Sequence, residues 1–481
     1  MTRPQATDHP PRIYPLDAHS LTEEEIAVAF AMTSRRPEPF DEIAEQVSQE
    51  KAADFHERWV LGYGHASVAE HAIVHLAVEN ISRLACDALE DNRLASYTEK
   101  SSRYQVMPQD YFHIPLELER HTFIRKQFVS TAQQLFEIYE ELLNRCMEYL
   151  RGAFPQRERE RDGAYALRLR RMATDSCRSV LPAATLTNVG VTANARVLEH
   201  AISKLLSSAL LEERHIGEQL RDQGRLITPT LIKYANRNDF LETSQNREWQ
   251  LGLPLPTTTD SSSGAKVRLV HFDPDAEAKL AAALLFRMES CDYETALIQA
   301  REMSEEEQSV LIDSLMENMG DHDAALREFE LVNYTFEFVM DYGAYREFKR
   351  HRMQSYFPQA FTPALGFKTP QLVEAAGLMA AYERAMSVSE EGFHRVGQES
   401  PLAAQYLLTH GHNRRVLSQM NLRECYHLFK LRSSREAHES IREPILEAMR
   451  LATQVHPLLF RWLRLRNYPD WWPFSQQDFH A

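Results

Sequence analysis

Val332, Tyr334, Phe336 and Phe338 alternate with Asn333, Thr335 and Glu337, a period of two that predicts a half-buried strand. Ile73-Val-His-Leu-Ala-Val78 forms the matching apolar run earlier in the chain. A stretch with helical spacing follows each, Ser82 to Leu94 and Tyr342 to Met353. Longer helices are predicted over Arg120–Gly152, Val197–Gly224 and Glu424–Val455. A sheet with long helices, and little strict βαβ alternation, predicts an α+β fold.

The two strand–helix blocks belong to a wider self-similarity. Arg12-Ile-Tyr-Pro-Leu-Asp17 aligns with Arg268-Leu-Val-His-Phe-Asp273, and at the same offset of 256 Phe30, Met32 and Ser34 match Phe286, Met288 and Ser290. Arg93 and Ser96 match Arg352 and Ser355 at an offset of 259, and Asn194, Arg196 and His200 match Asn421, Arg423 and His427 at 227. Three collinear blocks whose offset changes between them are what a tandem duplication with loop insertions and deletions produces. Leu253-Pro-Leu-Pro-Thr-Thr-Thr-Asp-Ser-Ser-Ser-Gly264 has a linker composition. Domains are therefore expected at 10–250 and 266–470, joined by a linker at 253–265 and followed by an aromatic tail at 471–481 that should dock.

Composition narrows the class. The length of 481 residues suits two domains, 43% hydrophobic content is that of a globular protein, and a net charge of −15 argues against nucleic acid as a partner. Five scattered cysteines show neither disulfide nor zinc spacing. No apolar run reaches membrane length and no targeting segment is evident, so a cytoplasmic protein without a membrane partner is expected.

The residues that could do chemistry fall in three blocks. Gly62-Tyr-Gly-His-Ala-Ser-Val-Ala-Glu-His71, followed by His75, offers His65 and Glu70. His71 and His75 straddle a strand start, which suits capping histidines better than i, i+4 metal ligands, and no metal site is assigned. Asp91-Asn-Arg-Leu-Ala-Ser-Tyr-Thr-Glu-Lys-Ser-Ser-Arg-Tyr104 ends in two hydroxyls beside an arginine, a cradle for a phosphate dianion, although a polar loop would look the same. Arg350-His351-Arg352 offers two permanent cations and one titratable ring, suited to a pyrophosphate or an electron-rich ring system. Further on stand Cys177-Arg178-Ser-Val-Leu-Pro182 and Asn421-Leu-Arg-Glu-Cys-Tyr-His-Leu-Phe-Lys-Leu-Arg432.

Taken together these motifs resemble the signature of the flavin-dependent thymidylate synthases, divided between two copies of one domain. The first copy keeps the phosphate loop while its Arg-His-Arg has decayed to Asp91-Asn92-Arg93. The second keeps Arg350-His351-Arg352, but Phe357-Pro-Gln-Ala-Phe-Thr-Pro363 replaces the phosphate loop. Arg178 is present only in the first copy, where the second has Gln405, and Arg432 only in the second, where the first has Leu205 beside Lys204. Complementary loss suggests one composite site and one decayed mirror site.

The resemblance implies reductive methylation of dUMP to dTMP with FAD as cofactor and methylenetetrahydrofolate and NADPH as co-substrates. Ser101, Ser102, Arg103 and Arg178 would hold the nucleotide phosphate, with Glu99 nearby. Arg432 would read the pyrimidine, and Arg350 would stand between nucleotide and flavin, so these two are the candidate catalytic groups. Flavin contacts would come from His65, Glu70, Asn194, Arg196, Arg350, His351, Arg352, Asn421, Arg423 and His427. Family members assemble four domains, which implies a homodimer here. Two alternatives stand beside this reading: an inactive nucleotide- or flavin-binding homologue, and a flavin-dependent one-carbon transferase acting on another pyrimidine nucleotide.

Overall fold

The computed structural model describes residues 12, 14–16, 20–245, 266–320, 322–466 and 470–474. The expected linker at 253–265 and the last seven residues of the tail, 475–481, lie outside them. The strands are β1 (Ile73–Ser82), β2 (Ala95–Glu99), β3 (Leu186–Asn194), β4 (Val267–Phe272), β5 (Asn333–Asp341), β6 (Ser355–Pro358) and β7 (Asn413–Asn421). The helices that position the candidate residues are α1 (Arg83–Leu89), α2 (Thr122–Ala153), α3 (Asp162–Cys177), α4 (Ala195–Leu206), α5 (Leu211–Ile227), α6 (Tyr342–Phe348), α7 (Met379–Gly397), α8 (Leu422–Arg432) and α9 (Glu439–Val455).

The chain forms two compact units that cut across the halves of the sequence. One unit comprises 1–81, 88–100 and 187–252, and the other 82–87, 101–186 and 253–481. The first holds a sheet ordered β1-β3-β2 and the second a sheet ordered β4-β5-β7-β6. Thus β3 and β7 occupy the same place, flanked by β1 and β2 in one sheet and by β5 and β6 in the other. Register repeats as well. Ser96 pairs with Thr192 across the antiparallel β2–β3 ladder, and the equivalent Ser355 pairs with Gln419 across β6–β7. This is an α+β fold with the duplicated domain's topology present twice.

β5 forms where the alternation predicts it, with Tyr334, Phe336, Phe338 and Met340 buried. The helices that follow β1 and β5 are shorter than their spacing suggests. α1 stops at Leu89 and α6 at Phe348, so Asp91–Arg93 and Arg350–Arg352 lie beyond the helices rather than within their last turns. Two long helices predicted from sequence are each broken in two. Ser207 closes α4 before α5 begins at Leu211, and Ser433 closes α8 before α9 begins at Glu439. Serine competes for backbone hydrogen bonds with its hydroxyl, and Ser207 and Ser433 each bond the carbonyl four residues back.

In the larger unit α2 packs against α7, the partners running in opposite directions from Gln127–Arg395 through Thr131–Gly392 to Glu141–Arg384. A Cβ at Gly392 would stand 2.5 Å from Thr131 Cγ2, so glycine is what permits the close approach. Where α3 gives way to β3, the segment 179–184 pairs antiparallel with 406–411. Ala183 N–H donates to Leu408 O at 2.8 Å and His410 N–H to Leu181 O at 3.0 Å. The central bridge joins Pro182 to Thr409, which the offset of 227 makes equivalent positions. A segment pairing with its own duplicate is the signature of a local pseudo-two-fold axis. Among the described residues no helix is long and apolar enough to cross a membrane.

Candidate functional site: an arginine cluster around Glu347

Arg103 lies in a turn just after β2, where Ser101 Oγ accepts from its backbone N–H at 3.3 Å and Thr174 Oγ1 donates to its carbonyl at 2.7 Å. The turn thus aims the guanidinium at α3, where it grips Asp175 through two parallel bonds of 2.9 and 2.8 Å. Ser102 beside it is buried. Arg178 caps the carboxyl end of α3, contacting Asp175 at 3.3 Å and Glu347 at 3.2 Å. Arg432, the last residue of α8, reaches the other oxygen of Glu347 at 3.5 Å. Arg103, Arg178 and Arg432 therefore converge on the pair Asp175 and Glu347, all within one compact unit. His438, whose side chain caps α9, stands 3.6 Å from Asp175.

The electrostatics follow from this packing. Burial works to raise the Glu347 carboxyl, but Arg178, Arg103 and Arg432 together outweigh it and hold the group below the usual carboxylate range. Arg350 and Arg103 are close enough for their charges to act on Arg432. Of the Arg-His-Arg, the two arginines are exposed and His351 is buried. His351 engages both ring nitrogens with protein groups, Nε2 accepting from Arg432 Nε at 2.9 Å and Nδ1 lying 3.2 Å from Glu424 Oε1. It is thus a buttress inside the motif, and no ring nitrogen is left to bond the flavin as the resemblance implies. The His427 ring lies 5.2 Å from it. Burial, with the charges of Arg432 and His427, pushes the His351 ring pKa well below its usual value.

Asn421 caps α8, its Oδ1 accepting from Glu424 N–H at 2.8 Å. Arg423 bonds Glu330 at 2.6 Å and the Ala325 carbonyl. The smaller unit repeats this arrangement: Asn194 caps α4 by accepting from Val197 N–H at 2.9 Å, and Arg196 pairs with Glu70 at 2.5 Å. Glu70 and Glu330 lie on the 3₁₀ turns that precede β1 and β5. His65 stands just before that turn with its ring 6.2 Å from Trp59. His71 packs on Phe30 and His75 bonds Thr192 Oγ1 at 2.9 Å. Glu99 ends β2 in the smaller unit and accepts from Thr187 Oγ1 at 3.3 Å.

The positions that decayed are filled or neutralised. In the smaller unit Lys204 pairs with Asp91 at 2.6 Å and Leu205 is buried. In the larger unit Phe361, the counterpart of Ser102, is fully buried and stacked on Tyr342 with centroids 4.6 Å apart. Nearby Lys349 is held by Asp87 at 2.6 Å, with Arg414 3.5 Å from the same carboxylate. At the start of the tail, Trp471 Nε1–H donates to the Ser433 carbonyl at 2.9 Å, with Arg442 over the indole at 5.7 Å.

Sequence reasoning missed Asp175, Glu347 and Glu424. Each is an acidic residue within a helix, where the ordinary reading is a solvated face. The available signal was their spacing from arginines already singled out: Asp175 three residues before Arg178, and Glu347 three before Arg350.

Comparison with known proteins identifies the family. The family described as thymidylate synthase complementing protein matches residues 16–230 and again 268–458. The chain belongs to that family, as two tandem copies. A UPF0159 protein of Chlamydia muridarum is 30% identical over 436 residues, covering 88% of this chain and 82% of that protein. A flavin-dependent thymidylate synthase of Clostridium tetani is 26% identical over 214 residues, covering 44% of this chain and 82% of its own length. Another from Sulfolobus acidocaldarius is 27% identical over 237 residues, 48% of this chain and 80% of that one. Among solved structures, a UMP/dUMP methylase PolB from Streptomyces cacaoi bound with 5-Br dUMP aligns with a TM-score of 0.32 at 18% identity, covering 41% of this chain and 93% of that one.

Proposed function

We propose that this chain is a flavin-dependent thymidylate synthase-type enzyme that methylates dUMP reductively to dTMP, with methylenetetrahydrofolate as carbon donor and NADPH as reductant. Family membership in both copies supports a flavin-linked methyl transfer. The observation that carries the site is the convergence of Arg103 and Arg178 from the first copy with Arg432 from the second on Glu347. A nucleoside monophosphate needs donors at both its phosphate and its base, and neither copy alone supplies both.

In this reading Ser101, Ser102, Arg103 and Arg178 hold the phosphate, and Arg432 faces the pyrimidine. Its cation would stabilise negative charge on the ring oxygens as C5 becomes nucleophilic. The exposed pair Arg350 and Arg352 fits FAD, with Asn421 contributing its amide at the start of α8 and Arg423 and His427 on the same helix. When bound, the reduced flavin supplies the hydride. His351 acts by holding Arg432. Two chains would pair as a homodimer that imitates the family's four-domain assembly.

One observation favours the second reading, an inactive nucleotide- or flavin-binding homologue: Asp175 and Glu347 already compensate the three arginines. The two separate in one experiment on the purified, flavin-loaded protein. An enzyme converts dUMP to dTMP given methylenetetrahydrofolate and NADPH. An inactive homologue shows a dUMP-induced change in the flavin spectrum and no product. Turnover of another pyrimidine nucleotide in place of dUMP would assign the transferase alternative.

A further inference from the structure

We infer that Glu424 is a positioning residue for the pyrimidine-facing arginine, acting through His351. The inference rests on the reading of Arg432 as the group that meets the base. Arg432 can only donate, so its Nε–H bond of 2.9 Å requires a lone pair on His351 Nε2. The single ring proton of a neutral imidazole must then sit on Nδ1, which faces Glu424 Oε1 at 3.2 Å. Glu424 accepts that proton's hydrogen bond whether its own carboxyl is ionised or not, because one oxygen always retains a lone pair.

The chain Glu424–His351–Arg432 fastens the last residue of α8 to its first turn through a ring contributed by the turn after α6. Glu424 is the third residue of α8, directly above the Asn421 cap. A glutamate at that position ordinarily turns back to bond the cap's own N–H. Here its carboxylate is instead buried against His351, with 4% side-chain exposure against 2% for the imidazole. Arg432 is thereby held from two sides, by His351 at Nε and by Glu347 at one terminal nitrogen. The guanidinium plane is fixed before any ligand arrives. That is what a planar base requires of a donor meant to discriminate it from a bare sugar phosphate.

The test uses the full chain and three variants, Glu424→Ala, Glu424→Gln and His351→Asn. Binding of dUMP and of 2-deoxyribose 5-phosphate is measured for each by calorimetry. Glu424→Ala should lose about tenfold or more for dUMP, the scale of one hydrogen bond to a charged group, and nothing for the sugar phosphate. Glu424→Gln, whose amide oxygen still accepts from Nδ1–H, should restore dUMP binding. Equal losses for both ligands, or no loss for either, would overturn the assignment. A second measurement needs no nucleotide: nitrogen-15 spectra of histidine-labelled protein, with the His351 signals identified by their loss in His351→Asn. They should show the Nδ1–H tautomer in wild type and Glu424→Gln. If Glu424→Ala does not fold, wild type and Glu424→Gln still decide, since an Nε2–H tautomer in either refutes the chain. A wild-type protein that shows the Nδ1–H tautomer but ignores dUMP would refute the nucleotide reading alone.

Discussion

Replacing Arg103 by alanine separates ligand binding from stability, because the structure predicts very different sizes for the two effects. The guanidinium makes two parallel bonds to Asp175, but the pair is only partly buried, at 26% and 20% side-chain exposure. Asp175 also keeps Arg178 at 3.3 Å and His438 at 3.6 Å after Arg103 is gone. No carboxylate is orphaned, so the cost to folding should stay below about 1 kcal/mol once solvent screening is counted. The nucleotide loses more. A charge-assisted contact to a phosphate dianion is worth about 1.5–3 kcal/mol, or roughly ten- to a hundredfold in affinity. Calorimetric titration of dUMP into flavin-loaded wild type and variant, with thermal melts of both, gives the two numbers. Unchanged dUMP affinity with a normal melt would remove Arg103 from the site. A collapse of the melt would show that the Arg103–Asp175 pair belongs to the fold and not to a ligand.

Changing Arg350 and Arg352 together to alanine should abolish flavin retention through purification while leaving the melting temperature nearly unchanged, since both are exposed. Full flavin content in that variant would return the motif to a solvated face. The Glu424 carboxyl, raised by burial from its ordinary 4.5 to about 7 against the opposing influence of His427, keeps a proton in the folded state that the unfolded chain has released. Its contribution to stability therefore falls as pH rises from about 4.5 to about 7. Glu424→Gln should be more stable than wild type at about pH 8, by up to about 3 kcal/mol, with the gap closing as pH is lowered toward 4.5. Denaturant titrations at several pH values read this directly, and a gap that widens on acidification would contradict it. Light scattering at micromolar concentration should give a dimer. A species at the 55.6 kDa chain mass, with flavin bound, would count against the paired assembly.

Much of the fold was legible because its signals are local. The alternation from Val332 to Phe338 could be nothing but a half-buried strand, and matched residues at fixed offsets exposed the duplication without any knowledge of the fold. The helix breaks were less visible because Ser207-Ser208 and Ser433-Ser434 are short interruptions in otherwise continuous helical spacing. The site was half legible. Arginines stand out by motif, and their separation into complementary sets suggested a composite site. Their counter-charges did not stand out, since Asp175 and Glu347 gain meaning only when 101–186 packs into the same unit as the second copy. His351 shows the same limit: its sequence context suggested a ligand, and only its burial and two protein partners reveal a buttress. Phe361 was read as part of a lost loop, but the structure adds that the ring fills its place by stacking on Tyr342.

The central claim is that duplication left one working nucleotide site per chain, assembled from parts of both copies, and the measurement closest to it is the stoichiometry of dUMP binding. Calorimetry on the flavin-loaded protein, with concentration set by amino-acid analysis, should give one dUMP per chain in wild type. Binding should be abolished when Arg103 and Arg432 are both changed to alanine. Two sites per chain, or one site that survives the double change, would contradict the composite account.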